Sequence, residues 1–236
     1  MKSVSIFFIL LSLSLSSCVT ILKAPFDSDT LGSNPLKTLP GSPSGDELTY
    51  ISNIENRLEI ISWDGSNSLE IANVSPVGRP SGHSTWTSFR STNTNFTSSV
   101  TYNWSGQANF TNSGGDFIMD FMDGMGGHMV RLMLSPRGEL RYTTDYVNEL
   151  PIGTVSLNTK HGFTVTCNKL SRTFNIRLSQ SGSSIEADNL GFLDFGQTFA
   201  VNAHPMLSFN YGSGSNPQQT YIVDDIIISR PRRRGE

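Results

Sequence analysis

Apolar and polar residues alternate along this chain in short runs, and no stretch holds a helical period for long. Ser68-Leu69-Glu70-Ile71-Ala72 changes character at nearly every step. Val100, Tyr102 and Trp104 lie two apart, with Thr101 and Asn103 between them, so the three share one face of an extended strand. Phe163–Cys167 and Thr173–Leu178 alternate cleanly on either side of Asn168–Arg172, which predicts a hairpin. Glu47–Ile51, Leu58–Ile61, Thr85–Phe89, Glu139–Tyr142 and Met206–Phe209 are shorter strand candidates. Phe117–Met122 and Met129–Leu134 are denser apolar runs that flank Gly124, Gly126 and Gly127. The final run, Tyr221–Ser229, is built from β-branched residues around Asp224 and Asp225 and predicts a paired, covered strand, not a frayed terminus. Turn signals recur about every 8–12 residues, the spacing of a sandwich or barrel.

Composition supports an all-β reading. Ser, Thr, Asn and Gly are abundant, which favours strands joined by turns. The 236 residues fit one large β domain or two small ones. At 16% charged residues the chain is not a solvated, disordered one, and a formal net charge of −3 provides no global field for nucleic acid. The Gly-x-Ser-x-Gly elbow, the phosphate-loop glycine pattern, Cys-x-x-Cys and His-Glu-x-x-His do not occur, which weakens hydrolase, nucleotide and zinc readings. Of the two cysteines, Cys167 lies in a strand pattern and reads as a small buried residue.

The other cysteine has a special context. Lys2 is followed by the apolar run Ile6–Leu11 and by Leu-Ser repeats ending in Leu15-Ser16-Ser17-Cys18. That run is too short and too Ser-rich to span a membrane. Its end resembles the bacterial lipobox, in which the signal is cut before the cysteine and the sulfur is acylated. The resemblance implies a signal peptide over 1–17, a lipid on Cys18, an anchored tether over 18–25, and a place in the bacterial cell envelope, in the outer membrane by the identity of Val19. The domain would follow over 26–229, with a basic tail over 230–236 in which Arg230, Arg232, Arg233 and Arg234 could meet anionic lipid or simply be solvated.

The order of features also resembles the concanavalin A-like lectin/glucanase domains, including laminin-G-like modules. Three parts carry it: the acidic Gly-Pro loop Phe26–Pro35, the late hairpin over Phe163–Ser181, and the closing strand Tyr221–Ser229. The hairpin ends in Gln180-Ser181-Gly182, without the Asp-Gly common in that family. The resemblance implies a two-sheet antiparallel jelly-roll sandwich. It also implies a structural calcium between the N-terminal loop and the last strand, with Asp27 and Asp224 as ligands and Asp29 and Asp225 in reserve. The other reading of the Asp pair is that it caps backbone amides at a strand end.

Aromatic residues in strands are candidates for a sugar-binding sheet, because sugar C–H faces pack on π-surfaces. Trp86, Trp104 and Tyr142 are the rings singled out, with Tyr102 beside them and with Arg131 and Arg141 as polar partners; core packing is the alternative for each ring. Asp116, Asp120 and Asp123 could act as degenerate acids in a polysaccharide-active glycoside hydrolase or lyase. Met119, Met122, Met125, Met129 and Met133 with His128 could suit Cu(I), or be ordinary core filler. The leading expectation is a non-catalytic, lipid-anchored module for glycan or another surface ligand. The alternatives are an enzyme of the same fold and a structural envelope protein without a small ligand.

Overall fold

The computed structural model describes residues 18–37, 47–51, 57–73, 86–91, 98–111, 115–123, 127–193, 204–211 and 219–232. They form β1 (Cys18–Ala24), β2 (Glu47–Ile51), β3 (Arg57–Trp63), β4 (Ser66–Asn73), β5 (Trp86–Arg90), β6 (Ser99–Asn109), β7 (Phe117–Met122) and β8 (His128–Leu134). These are followed by β9 (Glu139–Thr143), β10 (Glu149–Thr154), β11 (His161–Asn168), β12 (Thr173–Gln180), β13 (Ser183–Gly191), β14 (Met206–Tyr211) and β15 (Gln219–Pro231). No helix occurs among the described residues. The strands form two antiparallel sheets. An eight-stranded sheet runs β13-β12-β11-β6-β15-β4-β3, with β1 also paired to β15; a seven-stranded sheet runs β10-β9-β8-β7-β14-β5-β2.

Strand alternation builds the core. In β6, Val100, Tyr102, Trp104 and Ala108 are buried while Thr101, Asn103, Ser105 and Gln107 are half-exposed. The hairpin expected around Asn168–Arg172 forms, with Val165 opposite Ile176 and Phe163 opposite Leu178. Aromatic rings fill the space between the sheets: Phe117 stacks on Tyr221 at 4.3 Å, Trp104 stacks on Phe163 at 4.7 Å, and Tyr102 meets Phe121 edge-on at 5.0 Å. Each such side chain removed from water contributes about 1.5–3 kcal/mol. Met119 and Met129 are fully buried, as core filler would be, and Cys167 is buried with its thiol pushed well up by desolvation. Met125 lies outside the described residues.

The closing strand is the centre of its sheet. The first part of β15, Gln219–Val223, lies between β4 and β6; its later part, Ile226–Pro231, lies between β1 and β6. The change falls at Asp224-Asp225, where the register with β6 shifts and Asp225 takes φ 52°. That is a β-bulge, and it resets the alternation. Tyr221 and Val223 face the core before it, and Ile226 and Ile228 after it. The Asp pair is therefore a bulge inside a strand, not a cap at its end.

The N-terminal segment departs from expectation. Cys18–Ala24 is not a tether but strand β1, with Cys18 opposite Pro231 and Ala24 opposite Ile226. Ile21 and Leu22 are buried, which explains why the segment docks. The loop after it is ordered as expected: Gly32 N–H donates to Ile60 O and Ile60 N–H to Ser33 O, both at 2.8 Å. At the other end β15 runs on through Arg230 and Pro231, so only Arg232 of the described residues belongs to the expected basic tail.

Candidate functional site

The seven-stranded sheet turns a recessed polar floor outward. Asp120 in β7 alternates with the core residues Met119 and Phe121, so it points away from the core. Register places Ser88 opposite Ser208, Ser208 opposite Asp120 and Asp120 opposite Arg131. Ser88, Ser208 and Asp120 are only 1%, 0% and 4% exposed although they occupy outward positions.

At the end of this row stands a charged and aromatic cluster. Arg131 grips Asp120 with two bonds, Nε to Oδ1 at 2.7 Å and Nη2 to Oδ2 at 2.8 Å. His128 Nδ1 lies 3.6 Å from the same Oδ1, too far for a hydrogen bond. Burial pushes the Asp120 carboxyl up, but the flanking His128 and the Arg131 guanidinium outweigh it and hold the group below the usual carboxylate range. On its other side Arg131 lies against Tyr146, Cζ 4.6 Å from the ring centroid. Tyr146 is 39% exposed, and its neighbour Val147 is 80% exposed. Tyr146 has φ 61°, unusual for a residue with a side chain. Asp145 fixes that turn by accepting the backbone N–H groups of Val147 at 2.9 Å and Asn148 at 2.7 Å. Strain of about 1–3 kcal/mol is tolerated here to present an aromatic ring beside a guanidinium. On the adjacent strand Arg141 reaches Asp116 at 2.8 Å and also pairs with Glu149.

The arginines predicted from sequence thus lie on one face, but two of the predicted rings do not join them. Trp104 and Tyr142 are 3% and 9% exposed and belong to the core. Trp104 stacks on Phe163 and donates Nε1–H to the Tyr221 hydroxyl at 3.1 Å, while Tyr142 sets its edge to Phe174 at 5.5 Å. Asn103 and Ser105 beside Trp104, and Arg141 beside Tyr142, are half-exposed on the outward faces, so the rings point in. Trp86 begins β5 in register with Asn210 and Ile51, and its side chain falls outside the described residues.

The three candidate acids each have a fixed structural partner: Asp116 holds Arg141, Asp120 holds Arg131, and Asp123 accepts Gly127 N–H at 2.9 Å to close the glycine turn. The calcium ligands do not fit a calcium cage, which needs about 6–8 oxygens. Asp27 is exposed. Asp224 already accepts Ser66 Oγ–H at 2.6 Å and Asp225 N–H at 2.8 Å, and burial raises its pKa. Asp29 accepts Leu36 N–H at 3.0 Å, and burial raises it too. Among the described residues no three His, Cys, Asp or Glu side chains converge as a metal site would require.

One half-buried aromatic escaped the sequence reading. Trp63 ends β3 at a two-residue turn in which Asp64 and Gly65 have φ 50° and 87°. Two positive φ values are the mark of a type I′ hairpin, and the Asp-Gly pair was its sequence signal.

These features define a concanavalin A-like jelly-roll sandwich. Solved structures similar to it include a sialidase, at TM-score 0.61 and 12% identity over 90% of this chain and 18% of that one. Peanut lectin with a 9mer peptide matches at TM-score 0.53 and 12% identity, over 90% of this chain and 99% of the lectin. A botulinum neurotoxin type C structure, described by cell entry dependent upon two ganglioside molecules, matches at TM-score 0.56 and 14% identity, over 92% of this chain and 49% of that one. No family model and no curated protein matches the chain in sequence. At these identities the likeness is one of fold.

Proposed function

We propose that this protein is a non-catalytic, lipid-anchored module of the bacterial cell envelope that binds glycan on the outward face of its seven-stranded sheet. The observation that carries the reading is Tyr146, held in a strained turn with its ring partly open and Arg131 and Asp120 fixed behind it. An apolar ring offers the stacking surface that a sugar's C–H face requires. The Arg131 guanidinium beside it, which Asp120 holds in place, and Arg141 on the next strand supply donors for hydroxyls. The likeness of fold to lectins supports the same reading. Catalysis is disfavoured because Asp120 is held ionised against Arg131 and cannot serve as the proton donor that glycoside cleavage requires. The anchor is the lipid that the lipobox-like sequence would place on Cys18, in the outer membrane.

The test is a glycan array combined with analysis of released sugars, run on the protein and on Tyr146→Ala. Binding without product is expected. The variant should bind about 30-fold more weakly, the scale of a 2 kcal/mol anchor residue. Released product would sink the reading, as would an array on which Tyr146→Ala weakens binding to no glycan at all.

A further inference from the structure

The eight-stranded sheet carries a second recess on its own outward face, with the half-buried Trp63 next to it across Lys160. Trp63 Nε1–H donates to Gln107 Oε1 at 3.3 Å. Gln107 lies in β6 and Trp63 in β3, with β4 and β15 between them, so the indole lies across the outward side of two strands. Its orientation is locked by a relay: Gln107 Nε2 donates to Asn109 Oδ1 at 2.7 Å, and Asn109 Nδ2 reaches Thr220 Oγ1 at 3.4 Å. Above the ring sits Lys160, its Nζ 5.1 Å from the centroid and paired with Asp64. Both ends of that pair are about half exposed, so it is weak and Lys160 can swing aside.

Beside Lys160 opens a depression of about 400 Å³, lined by Ser105, Lys160, His161, Gly162, Ser179 and Gln180. That size is in the range of small-molecule sites. Gln180 is committed to the fold, accepting Ser156 N–H and donating to Thr154 O. The hydroxyls of Ser105 and Ser179 are not committed: each makes one 3.4 Å contact to a carbonyl, longer than an ordinary O–H···O bond. The only cation of the lining is neutralised by Asp64. A fixed indole, two available hydroxyls and no net charge suit a neutral, hydroxyl-rich ring.

We infer that this recess is a second glycan site, specific for neutral hexose units and independent of the Tyr146 face. The two sites lie on opposite faces of the sandwich, about 10 Å of core between the sheets. One short chain cannot reach both, so the domain would cross-link two glycan strands, with the gain in avidity that two linked sites confer.

The test removes the first site and reads the second. Tyr146→Ala protein, Tyr146→Ala/Trp63→Ala and Tyr146→Ala/Ser179→Trp are applied to an array of neutral and acidic oligosaccharides. The Ser179→Trp change fills the depression on an exposed strand position and leaves the indole in place. The expected result is that Tyr146→Ala retains neutral glycans and both double variants lose them by tenfold or more. The inference is overturned if Tyr146→Ala binds no neutral glycan, or if either double variant, with an unchanged melting temperature, binds as Tyr146→Ala does. Loss of binding by Tyr146→Ala alone would refute this second site, whereas binding indifferent to Tyr146 would refute the first.

Discussion

His161 makes the fold sensitive to acid, and the size of the effect can be worked from its surroundings. Its side chain is 1% exposed and faces the core from β11. Trp104 donates to the Tyr221 hydroxyl at 3.1 Å, and that hydroxyl lies 2.9 Å from His161 Nε2. The chain of bonds closes when Tyr221 donates its proton to Nε2, the arrangement in which Nε2 is the unprotonated nitrogen. Protonating it would take away the acceptor of the Tyr221 hydroxyl proton and place a charge in a dry core. Burial, with a small opposing contribution from Thr159, lowers the pKa from 6.5 to about 4. In the unfolded chain the group titrates near its ordinary value, so below pH 6.5 the unfolded state binds the extra proton and gains. The stability this group confers is complete above pH 6.5 and is lost as the pH falls toward 4. Between pH 7.5 and pH 4 the loss is about 3 kcal/mol, at 1.36 kcal/mol for each pH unit. His161→Gln keeps an acceptor for Tyr221 and does not titrate. Urea unfolding of both proteins from pH 7.5 to 4 should show the native protein losing about 3 kcal/mol relative to the variant, a large share of a typical 5–15 kcal/mol. The carboxylates are common to both proteins and cancel in the difference. A difference that stays constant within about 0.5 kcal/mol would refute a neutral, buried His161.

Three further outcomes are expected. Gly106→Ala would put a Cβ 2.6 Å from Tyr221 Oη and 2.7 Å from Ile222 O; neither can retreat, so denaturant melts should show a loss of about 2–3 kcal/mol. Asp120→Asn leaves the half-buried Arg131 without its counter-charge and should cost about 3 kcal/mol in the same assay, with glycan binding lost as Tyr146 loses its support. Adding calcium or EDTA should leave the thermal midpoint where it is, because Asp224 is held by Ser66 and Asp225; a calcium-dependent rise would restore a cation to that bulge.

Much of the sandwich was legible because a strand with one buried face must alternate. β6, β11 and β12 do so without interruption, and their register follows. Strands β10 and β13 were not legible. Each is an edge strand whose residues are mostly exposed, so no hydrophobic period marks it and only pairing forms it. The site was half legible. Arg131 and Arg141 could be named from strand position, but Tyr146 sits in a turn, where period-two reasoning has no purchase. Trp104 was misplaced although its own neighbours gave the answer: Ser105 and Gln107 are polar while Tyr102 and Ala108 are not, so the tryptophan belongs to the inward set. The bulge at Asp225 could not be foreseen from alternation, because it is the point at which alternation is broken.

Strand β1 bears on how the domain would sit at a membrane, and it can be tested without any lipid. A tether over 18–25 would be cut by trypsin after Lys23, whose side chain is exposed. The structure pairs Lys23 with Ile227 and buries Ile21 and Leu22 at 1% and 0%, with Ser91 Oγ–H donating to the Ile21 carbonyl at 3.1 Å. Cleavage requires an extended segment free of the sheet, so β1 must first lift away. Exposing two such side chains costs about 4 kcal/mol, which leaves roughly one molecule in a thousand open. Trypsin should therefore cut after Lys23 about a thousandfold more slowly than an unstructured peptide of the same sequence, followed by mass spectrometry of the released N-terminus. Cleavage at the peptide's rate would return this segment to a tether. Protection has a consequence for the proposed anchor. With Cys18 opposite Pro231 and Arg232 exposed beside it, a lipid on Cys18 would leave from the same end of the strands as Arg232. The membrane would then meet the end of the sandwich, leaving the faces that carry Tyr146 and Trp63 both open to the medium.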